Sequence, residues 1–98
     1  MERMVWMKKF VVMNPVKAIP LEAVQFNKIG DHHAVTEDAT SPTGFSLKNR
    51  RSTRRHLVAP GDWIVTESFG SYIPLPEKVM WDMYHEATPE EIEAYAKS

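Results

Sequence analysis

Lys48, Arg50, Arg51, Arg54 and Arg55 place five cations within eight consecutive residues, and His56 follows directly. Guanidinium groups present a planar fork of donors that meets phosphate or carboxylate in bidentate fashion. The rest of the chain does not share this bias, because twelve basic and thirteen acidic residues leave a formal charge of −1. Repulsion inside so dense a run must be offset by an anionic partner or by the protein's own carboxylates. A turn at Ser52-Thr53 sets the pairs Arg50-Arg51 and Arg54-Arg55 on either side of a hairpin tip. If the arginines converge on a concave pocket, a small nucleotide-like anion is favoured. If they spread over a convex face, a protein or nucleic-acid partner is favoured. The simpler alternative is a solvated hairpin whose arginines pair with Asp and Glu elsewhere.

Phe69 and Tyr72 flank a second turn and are candidate partner contacts. Trp63 and Tyr84 lie in better-patterned segments and read as core. The four histidines suggest surface positions: His32 and His33 are adjacent, so their rings diverge in an extended chain, and His56 and His85 are distant in sequence. A metal centre needs three or four convergent ligands, and with no cysteine in the chain no metal site is expected. Serines occur without a nucleophile-elbow context. Glu22, Asp62 and Glu67 show no spacing that pairs carboxylates, and Asp62 reads as a turn residue. The expectation is a non-enzymatic binding protein without a cofactor, whose contacts are Lys48, Arg50, Arg51, Arg54, Arg55, Phe69 and Tyr72.

A chain of 98 residues makes one domain with a modest core. Its 43% hydrophobic and 26% charged content is that of a globular protein, which argues against wholesale disorder. The apolar-leaning run Met4 to Met13 is interrupted by Lys8 and Lys9 and is too short to span a bilayer. No membrane partner is therefore expected, and the absence of cysteine suits a reducing cytoplasm. Met1, Met4 and Met7 are three candidate starts, so residues 1–15 read as an extension with a short strand at Phe10 to Met13.

The elements that must carry these residues follow from pattern. Lys17 to Phe26 alternates and reads as a strand, with Pro20 pointing to an edge or a bulge. Asn27 to Gly44 lacks apolar periodicity and reads as a long loop, the segment best suited to disorder. Phe45-Leu47 and Leu57-Val58 suggest two strands joined by the basic tip. Pro60-Gly61-Asp62 is a turn, Trp63 to Thr66 is a strand, and Phe69-Gly70-Ser71 returns it into Tyr72 to Leu75. Pro76 opens a short helix, after which Trp81 to Glu86 turns extended and closes the sheet. Thr88-Pro89-Glu90-Glu91 has the form of a capping box that starts a helix running to about Ala96. Ile92 and Tyr95 make only a narrow apolar stripe, so this helix docks weakly or in an oligomer. The fold class is α+β: a small, strongly bent antiparallel sheet or open barrel over residues 16–86, a short helix, and a C-terminal helix in residues 87–98. The small core and the poorly seated last helix suggest a homo-oligomer.

Three segments, Leu21-Glu22-Ala23-Val24-Gln25-Phe26, Val58-Ala59-Pro60-Gly61-Asp62-Trp63-Ile64-Val65, and Gly70 to Pro76 followed by Trp81 to Glu86, resemble in order and spacing a family of small proteins encoded by tailed phages and prophages. The resemblance covers roughly residues 16–86. Ile73-Pro74-Leu75-Pro76 stands where that family commonly carries a cysteine and a lysine, and the basic run lies outside the shared pattern. The resemblance implies an accessory protein in the host cytoplasm that inhibits or sequesters a component of a host defence system, through a host protein or a nucleotide-like ligand. The alternative is a small nucleic-acid-binding or virion-associated structural protein; the near-neutral charge disfavours nucleic acid as the partner.

Overall fold

The computed structural model describes residues 8–13, 19–50, 53–67 and 70–97. The expectations for residues 1–7 and for Arg51 and Phe69 lie outside them. The described chain is built from β1 (Lys8–Met13), β2 (Leu21–Gln25), β3 (Val35–Glu37), β4 (Phe45–Lys48), β5 (Arg55–Leu57), β6 (Trp63–Thr66), β7 (Tyr72–Leu75), α1 (Glu77–Met83), β8 (Tyr84–Glu86) and α2 (Pro89–Lys97). They form a five-stranded sheet in the order β7-β6-β2-β1-β8 and a three-stranded sheet β3-β4-β5, all pairs antiparallel and neither sheet closed into a barrel.

Alternation along the strands divides the large sheet into two faces. Val11, Ala23, Trp63 and Val65 point to the first and pack with Met80 of α1 and Tyr84 of β8. Ile64 and Phe26 point to the second and pack on Val35, Leu47 and Val58 around the small sheet. Trp63 is only 3% exposed and Tyr84 only 1%, which places both in the core. Trp63 also meets Trp81 edge-on, with ring centroids 5.4 Å apart.

The Pro60-Gly61-Asp62 turn is held from both sides. The Asp62 carboxylate accepts the Ala59 N–H at 2.9 Å, and Gly61 takes φ +99°, where a side chain would strain the backbone. Gly61 N–H then bonds the Phe26 carbonyl and Phe26 N–H the Asp62 carbonyl, which locks the turn onto the end of β2. At α2 the capping box closes reciprocally: the Glu91 N–H reaches Thr88 Oγ1 at 3.1 Å, and the Thr88 N–H reaches Glu91 Oε1 at 2.9 Å. Ile92 and Tyr95 stay 39% and 50% exposed, so the stripe of α2 is indeed poorly covered.

Two sequence expectations need correction. Pro20 does not mark an edge or bulge within β2; it precedes the strand, which is paired on both sides. The strand begins after the residue that lacks a ladder donor. Asn27 to Gly44 is not one irregular loop. It contains β3, paired with β4 from Val35↔Leu47 to Glu37↔Phe45, and turns closed by Asp31, Asp38 and Ser41. Val35 is the only apolar residue in that three-residue strand, so no alternation could announce it.

Candidate functional site: the Tyr72 junction

Tyr72 opens β7 at the free edge of the large sheet. The Asn49 side chain grips its backbone on both sides: Asn49 Oδ1 accepts the Tyr72 N–H at 2.6 Å, and Asn49 Nδ2 donates to the Tyr72 carbonyl at 3.0 Å. One amide thus stands in for a neighbouring strand. It ties the base of the basic hairpin to the edge of the other sheet.

Two clefts meet at Tyr72. The larger, of about 690 Å³, has Glu22, Val24, Thr66 and Tyr72 on the sheet and Gly30 to His33 above them. Register explains its floor. Phe10 pairs with Glu22, Glu22 with Thr66, and Thr66 with Tyr72, so one transverse row crosses four strands on the second face. The small sheet packs on that face around Ile64 and Phe26, and Tyr72, at one end of the row, is partly buried against the same core. Phe10, at the end of the row, is 45% exposed.

The loop above is shaped by Asp31, whose carboxylate accepts the N–H groups of Asn27 and Lys28 at 2.9 and 3.1 Å. It presents His32 and His33 with their rings stacked 4.9 Å apart and 13° from parallel. Tyr72 meets both edge-to-face, at 4.7 and 5.4 Å, and its hydroxyl lies 2.9 Å from His33 Nε2. The expectation of diverging rings is therefore corrected, and the expectation of a surface position fails for His32 while it holds for the exposed His33. His32 is only 8% exposed, because a tight turn rather than extended chain carries the pair. The Ala34 N–H donates to His32 Nδ1 at 3.1 Å, so the neutral ring carries its hydrogen on Nε2. Burial, reinforced by the charge His33 can carry and only partly opposed by Glu22, lowers the His32 pKa from 6.5 to about 4. Among the described residues no group of three or more His, Asp or Glu side chains is placed to hold a metal ion.

The second cleft, of about 530 Å³, runs between the outer edges of the two sheets. Arg55, His56 and Leu57 of β5 line one side, Ser71 to Pro74 the other, and Asn49 also lines it.

The described cations of the basic run do not converge on either cleft as a unit. Lys48, Arg50, Arg54 and Arg55 are all exposed, and of these only Arg55 lines a cleft. Lys48 and Arg55 are direct cross-strand partners, a repulsive placement. Asp38 relieves it: Arg55 Nη1 lies 3.1 Å from Asp38 Oδ2. Hydrogen bonds from the Thr40 hydroxyl and N–H, then from Ser46, with a smaller contribution from Arg55, hold the Asp38 carboxyl down at about 2. For Arg55 the intramolecular carboxylate is the answer to charge crowding. Tyr72 is the candidate contact that the fold places at a junction. Asn49, His32, His33, Glu22 and Thr66 were missed in the sequence. The one signal that could have found Asn49 was an uncharged amide inside a run of cations.

No protein-family model, no curated protein and no solved structure matches the chain. No helix among the described residues is long and apolar enough to cross a membrane.

Proposed function

We propose that this chain is a non-enzymatic accessory binding protein of the kind tailed phages encode, acting in the host cytoplasm by capturing an acidic surface of a host protein. The observation that carries the reading is the Asn49 clamp on Tyr72. It makes the basic hairpin and an aromatic ring into one preorganised surface, and a rigid aromatic beside cations is a common anchor at protein interfaces. The spread of Lys48, Arg50 and Arg54 over an exposed hairpin supports a macromolecular partner over a small anion. The net charge of −1 supports protein over nucleic acid.

A second reading, capture of a small ligand, is favoured by the cleft beside Tyr72. Its volume lies within the roughly 300–1,000 Å³ common for ligand sites.

Native mass spectrometry of the protein gently purified from host cells tests both readings. The wild type is expected to retain a protein partner, and possession of a homo-oligomeric state would be read from the same spectrum. The double variant Lys48→Glu with Arg50→Glu and the variant Tyr72→Ala are expected to lose the partner while their thermal midpoints stay within a few degrees of wild type. A retained small mass that survives the charge reversal but not Tyr72→Ala would favour the second reading. Variants that keep both fold and partner would remove the hairpin and Tyr72 from the interface.

A further inference from the structure

The two sheet edges that face each other across the smaller cleft are not equally protected. On β7, Asn49 occupies the outward N–H and carbonyl of Tyr72. Outward groups recur every second residue along a strand, so Pro74, two residues on, faces the same way and has no N–H to offer. That edge is closed to a further strand. β5 is the outermost strand of the small sheet, and its sequence Arg55-His56-Leu57 holds no proline or glycine. Among the described residues its backbone makes no hydrogen bond outside the ladder with β4. Leu57 at its end is 58% exposed, the most exposed of the described large hydrophobic residues.

We propose that the cleft along β5 receives an extended acidic segment of a partner protein, paired to the outer edge of β5 as an additional strand. The proposal rests on the protein-binding role above and names how the partner is held. Backbone pairing gives such a segment its grip, and alternate side chains give it specificity. An apolar side chain of the segment would lie against Leu57 and Ile73. The acidic character follows from the surroundings: among the described residues no carboxylate lines the cleft, and although Arg55 is already ion-paired with Asp38, Lys48 and Arg50 are exposed on the adjoining hairpin. A strand of three residues offers few backbone bonds, so charge and the Leu57 contact must contribute to holding the segment.

The test uses the full chain and an acetylated, amidated peptide of alternating glutamate and valine, followed by NMR and by fluorescence anisotropy. Its counterparts are the same peptide N-methylated at alternate residues and a lysine-valine peptide. The expected result is binding of the glutamate-valine peptide with shifts and slowed hydrogen exchange at the Arg55 to Leu57 amides. Affinity should fall at least tenfold on N-methylation, tenfold or more with the lysine peptide, and several-fold in Arg50→Glu. Binding that is insensitive to N-methylation in both registers, with shifts confined to Lys48 and Arg50, would overturn strand addition and leave the hairpin reading standing. No binding, or equal binding of the lysine peptide, would overturn it as well; the hairpin reading would then be judged by retention of the host partner in the charge-reversed variant.

Discussion

Asn49 and Tyr72 lie 23 residues apart, and the Asn49 amide holds both backbone polar groups of Tyr72, at 2.6 and 3.0 Å. The pair joins two sheets that otherwise meet through the core around Phe26, Leu47 and Ile64. Asn49→Ala is expected to lower stability by about 1–3 kcal/mol, since two hydrogen bonds are lost at a half-buried site. Asn49→Asp should also destabilise, because it keeps an acceptor for the Tyr72 N–H but sets a carboxylate against the Tyr72 carbonyl. Chemical denaturation measures both. An Asn49→Ala midpoint equal to wild type would mean that the clamp contributes nothing.

Trp63 is the largest side chain of the first core face and is 3% exposed. Trp63→Ala should cost about 3–5 kcal/mol from lost burial and the cavity left behind. Trp63→Phe should cost much less, and the comparison is clean because the indole N–H has no hydrogen-bond partner to lose among the described residues. Equal losses for the two variants would contradict this.

Thr88→Ala should cost about 1 kcal/mol through loss of the cap on α2. The Thr88 N–H, with the His85 ring beside it, holds the Glu91 carboxyl below its ordinary value. A depressed carboxyl contributes stability that is present above its unfolded value and is lost as pH falls through the folded one. Carbon chemical shifts of residues 89–97 should therefore move toward coil in acid, and in Thr88→Ala they should begin to move at higher pH. Shifts already coil-like at neutral pH would exclude the cap.

His32 carries a second pH dependence, with its own window. The unfolded chain takes up a proton near 6.5 that the native ring refuses until about 4. Between those values the unfolded state binds more protons, so stability is complete above 6.5 and declines as pH falls toward 4. Denaturation midpoints at neutral and mildly acid pH should diverge in the wild type and converge in His32→Gln. A ring-proton titration with its midpoint in the ordinary histidine range would refute the burial argument.

Much of the fold is legible because local chemistry and long-range packing agree there. Trp63 to Thr66 is an apolar run behind a turn whose every residue has a backbone reason, and Thr88 to Glu91 contains both halves of its cap. The candidate site is less legible because it is assembled across strands. Glu22, Thr66 and Tyr72 are neighbours only through register, and nothing near His32 in sequence announces that a stacked neighbour and a tyrosine will bury it. The basic run misleads in the opposite sense. Its charge is conspicuous, yet Arg55 is answered by Asp38, and the residue in the run that shapes the site is the neutral Asn49.

The place of β1 between β2 and β8 has a kinetic consequence. Val11 pairs with Leu21 on one side and Glu86 on the other. During synthesis the hairpin of β1 and β2 can form early, but one edge of β1 stays open until almost the whole described chain has emerged. Closing so long a loop is slow compared with forming a local hairpin. The last strand to dock should therefore be β8, carrying Tyr84 into a core that Val11, Ala23 and Trp63 have already begun. Until it does, the nascent chain exposes an apolar edge that a chaperone could recognise.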